Sequence, residues 1–250
     1  MYDPPSYLWA ITIAEAIAFP AATCVVLYGG AVRASLSRRR AALLAGTAAV
    51  VLGGWFSSSA VIADPGWYHT RLGHGVPCMP GAAAGLLGLL LVLRRIPLVA
   101  RALTAPGMAS RLEFPHLFRI AGVNFVLIMA LGHLPALFAL PAGLGDIAAG
   151  IAAPLVARRL AQGTGRRAGL WFNAFGMTDL VLALILGALT GFQLIHVTPS
   201  AAPLSALPLA LIPTAGVPLL LVLHITSVSA LRRTPRTPLP ETAPLASAAM

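Results

Sequence analysis

The chain has 250 residues, of which 58% are hydrophobic and only 10% are charged. Soluble domains carry about 25% charged residues, so this composition excludes an ordinary water-soluble domain and favours a membrane protein. The formal net charge of +10 does not indicate nucleic-acid binding, because the basic residues stand in short groups between apolar runs instead of on one basic module.

Seven apolar runs follow one another along the chain, and they predict an all-α membrane protein, a single domain over residues 1–233. The predicted helices cover about residues 8–28, 41–62, 76–93, 120–134, 142–157, 170–189 and 204–231. The Pro/Ala-rich tail, residues 234–250, is predicted to be disordered in the cytoplasm.

The stretch between Arg119 and Arg158 is predicted to hold two of these helices. As one helix its residues 120–157 would be about 57 Å long, nearly twice the hydrocarbon thickness of about 30 Å. Pro135, Pro141 and Gly143 interrupt its middle. We therefore predict a hairpin near residues 134–143.

The arginines predict the orientation of the seven helices. With the hairpin in place, groups of four, five, four and three arginines fall on one side of the membrane, and only Arg71 falls on the other. Cytoplasmic loops are enriched in basic residues, which predicts an N-terminus outside and a C-terminus in the cytoplasm.

All 17 basic residues are arginine. The absence of lysine excludes a retinal Schiff base, which needs a lysine amine. Together with abundant Ala, Gly and Pro, it favours a GC-rich bacterial genome. The predicted location is therefore a bacterial membrane, with the lipid bilayer as a partner and no nucleic acid.

Three acidic residues, Glu15, Asp146 and Asp179, lie inside predicted helices, where each costs roughly 2.5–3.5 kcal/mol at the membrane centre. Small residues share their helix faces and mark close approach between helices, so the acids are predicted to face the bundle interior. The neighbours of Glu15 are Thr12, Ala18 and Ala22, those of Asp146 are Gly150, Ala153 and Ala157, and those of Asp179 are Gly176, Ala183 and Gly187. Because the predicted spans contain no arginine, a buried ion pair is expected to require a histidine.

Two interpretations of these acids stay open. They could form a proton or cation path, or line a polar pocket in the outer half of the bundle. The hairpin is expected to bring His133 and Asp146 together near the outer surface, with Asp179 beside them. Further candidates for the same path or pocket are His224, Asn124 and Asn173. Alternatively, the three acids are neutral or hydrogen-bonded groups that only hold the helices together, since burial favours an uncharged carboxyl group.

Several histidines are expected on the outer side, where imidazoles could bind a metal or haem. The closest pair stands in a Gly/Pro-rich loop without a helical register to align its ligands, so no metal site and no cofactor are predicted. The weak candidates are His69, His74, His133 and His196.

His224 lies within the seventh predicted helix, and we expect Asn173 or Asn124 to be its hydrogen-bond partner. The same run contains Pro203 and Pro208, which either kink the helix beside a cavity or lie before its first turn.

Two stretches, LGHLPALFALPAGLGD at residues 131–146 and LPLALIPTAGVPLLLVLH at residues 207–224, carry a family resemblance. There the chain resembles a group of bacterial multi-pass membrane proteins of unassigned function. The resemblance covers roughly Arg111–Arg233 and implies an inner-membrane setting but no activity.

No motif of a known catalytic chemistry is present, such as Ser-x-x-Lys, Gly-x-Ser-x-Gly or His-Glu-x-x-His, so enzymatic activity is not indicated. The favoured hypothesis is small-solute or proton-coupled transport or sensing through an outward-facing polar pocket. The first alternative is a non-catalytic subunit or scaffold that packs against a membrane protein partner or a second copy. The second alternative is a haem- or metal-binding membrane redox protein.

Overall fold

The computed structural model describes residues 5–69 and 78–233, and within these ranges it contains helices and no strands. A 3₁₀ segment, Phe114–Gly122, joins the fifth α-helix to the sixth, and a π-helical turn, Ile212–Gly216, precedes the ninth. The α-helices in the described ranges are α1 Ser6–Arg33, α2 Arg38–Ala63, α3 Cys78–Leu93, α4 Pro97–Leu103, α5 Met108–Leu112, α6 Val123–Ala130, α7 Ala136–Ala161, α8 Arg166–Gly191 and α9 Val217–Arg233. The predicted disordered tail lies outside the described residues.

Six stretches of the described chain are long and apolar enough to cross a membrane. A seventh is obtained if α3 and α4, which are bent by 88° relative to each other, count as one span. The predicted helical bundle with membrane-length apolar helices is therefore confirmed. The six stretches are Ser6–Arg33, Arg38–Ala63, Met108–Ala130, Ala136–Ala161, Arg166–Gly191 and Ile212–Arg233.

The third of these stretches begins at Met108, well before the start at residue 120 of the fourth predicted helix. It contains α5, the 3₁₀ segment and α6. The polar residues before position 120, among them Arg111 and Glu113, had indicated a connection between helices, whereas α6 lies within the predicted helix 120–134. The chain then breaks at residues 131–135, so a hairpin is present, but Pro141 and Gly143 lie inside α7 and do not interrupt it. Pro203 and Pro208 lie before the last stretch and therefore before α9, which is one of the two alternatives predicted from the sequence.

The 3₁₀ segment packs closely on α7 because glycines face each other across the contact. A Cβ atom on Gly150 would lie 2.5 Å from the backbone nitrogen of Ile120. A Cβ atom on Gly143 would lie 2.9 Å from the carbonyl oxygen of Gly122. Small residues permit this backbone approach, which brings the centre of the 3₁₀ segment against the middle of α7.

Arginine-rich helix ends gather at one end of the bundle. Arg101 on α4 donates to the carbonyl oxygen of Ala34 at the end of α1, at 3.5 Å. Arg166 at the start of α8 donates to the carbonyl oxygen of Leu231 near the end of α9, at 3.1 Å. Arg94, just after α3, lies close enough to Arg233, the last residue of α9, for the two positive charges to repel each other. The end of α1 thus lies beside α4, and the ends of α3 and α9 lie near the start of α8.

The outward faces of the helices are apolar. Ile17, Val50 and Leu155 are 64%, 75% and 61% exposed. In α3, Leu86 is the one buried residue of the sixteen. Large contiguous apolar surfaces are rare on soluble monomers, so these faces need an apolar environment or a partner.

Candidate functional site

Arg119 is fully buried at the centre of the bundle, where it joins three chain segments. Its Nε donates to Oδ1 of Asp146 on α7 at 2.7 Å, and its Nη2 donates to Oδ2 of Asp179 on α8 at 2.5 Å. The prediction that a buried ion pair would require a histidine is wrong. It placed Arg119 at the end of a helix, whereas Arg119 lies inside the stretch that begins at Met108.

His224 continues the network from Arg119 towards α8. Its Nε2 lies 3.3 Å from Nη1 of Arg119, and its Nδ1 lies 2.8 Å from Oδ1 of Asn173. Asn173 was one of two predicted partners and is confirmed. The other, Asn124, instead donates to the hydroxyl of Thr12 on α1 at 3.2 Å.

Glu113 ends the network on the side of the arginine-rich helix ends. Its Oε1 accepts hydrogen bonds from the amide of Asn173 at 2.7 Å and from the hydroxyl of Ser227 at 2.6 Å. His116 stacks on His224, with ring centroids 3.8 Å apart and an angle of 19° between the planes. Both Glu113 and His116 are fully buried.

Glu113, His116, Arg119 and Ser227 were not predicted as site residues, although the spacing of the first three carries a signal. Glu113, His116 and Arg119 are spaced three residues apart. A 3₁₀ helix has about 3.0 residues per turn, so side chains at this spacing lie one above another. His116 and Arg119 on the 3₁₀ segment form one polar stripe with Glu113, which directly precedes the segment. The α-helical period does not reveal this stripe.

Glu15 on α1 completes the network from the other side. It interacts electrostatically with Asp146 and Arg119. With Thr12 it lines a cavity of about 10 Å³, roughly the space that one water molecule needs. The prediction that Glu15, Asp146 and Asp179 face the interior is confirmed, since they are only 8%, 9% and 8% exposed.

We call this network the polar core. It contains four of the seven acidic residues of the chain and one arginine, so its formal charge is −3 when all five groups are ionised. Its members are Glu15, Glu113, His116, Arg119, Asp146, Asn173, Asp179, His224 and Ser227.

Glycine residues make room for the polar core because they have no side chain. A Cβ atom on Gly176 would clash with the His224 imidazole, and one on Gly145 would clash with the Asp179 carboxylate. A Cβ atom on Gly122 would clash with that of Asp146. Bulkier residues at these points would separate the charged groups.

A cavity of about 290 Å³ adjoins the polar core. Residues of α3, α8, the π-helical turn and α9 contribute to its lining. Met79 and Leu87 from α3 and Leu184 from α8 contribute to its apolar lining. Among the lining residues Asp146 is the one ionisable group. The cavity is therefore lined by apolar side chains and one carboxyl group, that of Asp146.

The outer histidines are not part of this site. His69, His133 and His196 are exposed, and His74 lies outside the described residues. His133 precedes α7, whereas Asp146 lies about 15 Å along that helix from its first residue. The structure therefore does not bring His133 and Asp146 together, as the hairpin at residues 134–143 had suggested.

Fold and site together define an all-helical protein with membrane-length helices around a buried charged network. Residues 77–232 match the family described as Domain of unknown function (DUF8737), and the chain belongs to this family. No curated protein and no solved structure matches the chain. The matched region runs from α3 to α9 and includes every member of the polar core except Glu15.

Proposed function

We propose that the protein spans a bacterial cytoplasmic membrane seven times, with its N-terminus outside, and transports or senses a small solute. In this proposal, solute binding in the apolar cavity is coupled to protons or a cation in the polar core. The excess of buried carboxyl groups over buried arginine is the observation that carries the proposal.

The surface of the bundle supports the membrane location. Exposed aliphatic side chains cover the outward faces, where lipid tails would contact them. The arginine-rich helix ends lie together, which fits a cytoplasmic face under the positive-inside rule. Counting α3 with α4 as one span gives seven crossings and opposite sides for the two termini.

The charge balance of the polar core supports coupling. Isolated charges are very unfavourable in a low-dielectric interior, and they are found there paired or neutralised. Arg119 neutralises one carboxylate, yet it contacts two, and Glu15 and Glu113 have no second arginine within reach of a salt bridge in the described chain. Protons or a bound cation must offset the remaining charge. A site that must take up positive charge in order to be stable is suited to proton or cation coupling.

The cavity indicates the class of solute. An apolar lining favours an aliphatic or aromatic body, because burial of apolar surface contributes about 25 cal/mol per Å². Asp146 in the lining favours a cationic or hydrogen-bond-donating group at one end of that body. We therefore propose a small amphipathic amine or a solute of similar polarity.

A thermal-shift experiment on the purified full chain in mild detergent tests this proposal. The probes are aliphatic amines and alcohols of matched chain length. Amines are expected to raise the midpoint of unfolding more than the alcohols do, and Asp146→Asn is expected to abolish the difference. The matched control is Asp64→Asn, which changes an exposed carboxylate in the described chain. Equal shifts from amines and alcohols, or an unchanged preference in Asp146→Asn, would contradict it.

A second variant keeps the test decisive if Asp146→Asn does not fold. Ala84 lines the cavity from α3, and it is not a member of the polar core. Ala84→Trp is expected to fill the cavity and abolish the amine effect while the ion pairs stay intact. A variant that folds and still responds to amines would place the binding site elsewhere.

A further inference from the structure

Glu113, His116 and His224 form a compact group of metal-binding side chains in the inner part of the bundle. All three are fully buried, and one ligand atom from each lies within 4.8 Å of the others. Glu113 and His116 come from adjacent turns around the start of the 3₁₀ segment, and His224 comes from α9. The group is separate from the exposed histidines that the sequence pointed to.

Unpartnered polar atoms in this group point to a ligand. Oε2 of Glu113 and both ring nitrogens of His116 are buried without a hydrogen-bond partner among the described residues. A buried polar atom without a partner costs roughly 1–3 kcal/mol. Three such atoms on two neighbouring side chains require a common explanation, because buried polar groups in folded proteins are almost always satisfied.

The surroundings of His224 resemble the support that a metal-binding histidine usually has. The Oδ1 atom of Asn173 can only accept, so the 2.8 Å contact assigns the proton of His224 to Nδ1. Its Nε2 then carries a lone pair. Metal-bound histidines commonly donate their other N–H to an oxygen that fixes the ring. The same Asn173 also donates to Glu113, so one amide orients two of the three groups.

The absence of a side chain at Gly176 leaves room for the His224 ring. Gly176 faces Nε2 and Cε1 of His224, and any Cβ atom there would overlap the imidazole. Both ring nitrogens of His116 are without a hydrogen-bond partner within the described residues, so neither is committed to another group. The Nε2 atom of His224 accepts a hydrogen bond from Nη1 of Arg119 at 3.3 Å, and a metal ion bound to Nε2 would take the place of that donor.

We propose that Glu113, His116 and His224 bind a divalent transition-metal ion of the zinc class. Two imidazoles and one carboxylate are ligands that Zn²⁺ accepts, and three protein ligands leave a fourth position for water or a solute. A dication would also offset two of the three excess negative charges of the polar core. This site is independent of the amine site at Asp146, which lies on the other side of Arg119.

Metal analysis of the full chain tests the proposal directly. The protein is purified in mild detergent without a histidine tag, stripped with a chelator, incubated with ZnCl₂ and desalted, and bound zinc is then counted per chain. One equivalent is expected. His116→Ala is expected to lose it, and Asn173→Ala is expected to weaken binding by about 10- to 100-fold, as a residue that orients ligands does. The matched control His133→Ala changes an exposed histidine and is expected to retain zinc.

A Co²⁺-substituted wild-type sample provides a measurement that does not depend on the folding of any variant. Visible ligand-field bands of cobalt bound to nitrogen and oxygen ligands are expected, and excess Zn²⁺ should remove them. Absence of zinc and of these bands in the wild type would overturn the metal site, as would equal loss of zinc from His116→Ala and His133→Ala. Asp179→Asn is expected to retain zinc, which separates this site from the proposed coupling function.

Discussion

The Nε of Arg119 on the 3₁₀ segment and Oδ1 of Asp146 on α7 lie 2.7 Å apart, and α6 with a short turn connects these two segments. The same guanidinium reaches Asp179 on α8, so one buried cation serves two carboxylates. Both the packing of these three segments and the charge balance of the bundle therefore depend on Arg119. This dependence leads to predictions that separate a structural role from a functional one.

Replacement of Arg119 should destabilise the protein strongly, and removal of the carboxylates should restore much of the loss. Removing one partner of a buried ion pair costs about 3–5 kcal/mol, because the remaining charge is left uncompensated. Arg119→Gln is therefore expected to give little folded protein. Arg119→Gln combined with Asp146→Asn and Asp179→Asn should unfold at a clearly higher temperature than the single variant. Equal yields and unfolding temperatures for the single and triple variants would show that the three groups are not coupled.

Asn173 should be sensitive to a change of charge as well as to a loss of hydrogen bonds. Asn173→Ala removes its contacts with Glu113 and His224 and is expected to cost roughly 1–3 kcal/mol. Asn173→Asp keeps the size but adds a fifth carboxylate to the polar core, so its cost should be larger. Thermal unfolding in detergent measures both. An Asp variant as stable as the wild type would argue against an excess of negative charge in the core.

Gly176 should not tolerate a methyl group, whereas a glycine on an open helix face should. Gly176→Ala places a Cβ atom against the His224 ring, and overpacking of this kind costs typically about 1–3 kcal/mol. The matched control is Gly54→Ala on α2, where no atom lies within 4 Å of the added Cβ. A lower unfolding midpoint is expected only for the first variant. Similar midpoints for both would contradict the close contact between α8 and α9.

The proposed orientation predicts which connections are accessible from outside the cell. In a background with Cys24→Ala and Cys78→Ala, His196→Cys reports on the connection between α8 and α9. Thr164→Cys reports on the connection between α7 and α8, and both positions are exposed. A membrane-impermeant maleimide applied to intact cells should label the first and not the second. The reverse pattern would invert the topology, and labelling of both would argue against a crossing by α8.

The three acids inside apolar runs could be predicted as interior residues because the pattern around them is simple. Asp146 and Asp179 stand alone among aliphatic residues, with glycine or alanine on the same helix face. Both chemistry and spacing therefore indicated a helix–helix contact. The pairing of His224 with Asn173 was predictable for the same reason, since each is an isolated polar group in an apolar helix.

The partners of these acids could not be predicted from the same pattern. Glu113, His116 and Arg119 stand close together, which lowers the local hydropathy and suggests a connection between helices. Their alignment depends on a 3₁₀ segment, and that geometry depends on packing against α7 through Gly143 and Gly150. Tertiary contacts thus decide the local helix type. The hairpin was displaced for a related reason, because Pro141 is accommodated within α7.

The central claim is that protons or a bound cation offset the excess negative charge of the polar core. Infrared spectroscopy of the protein in lipid membranes at neutral pH measures it most directly, since protonated carboxyl groups have a C=O band separate from that of carboxylates. Metal analysis of the same sample counts bound cations. We predict a protonated-carboxyl band that weakens in Glu15→Gln or Asp179→Asn, or a stoichiometric bound cation. A wild-type spectrum with only carboxylate bands, from a sample that contains no bound cation, would contradict the account.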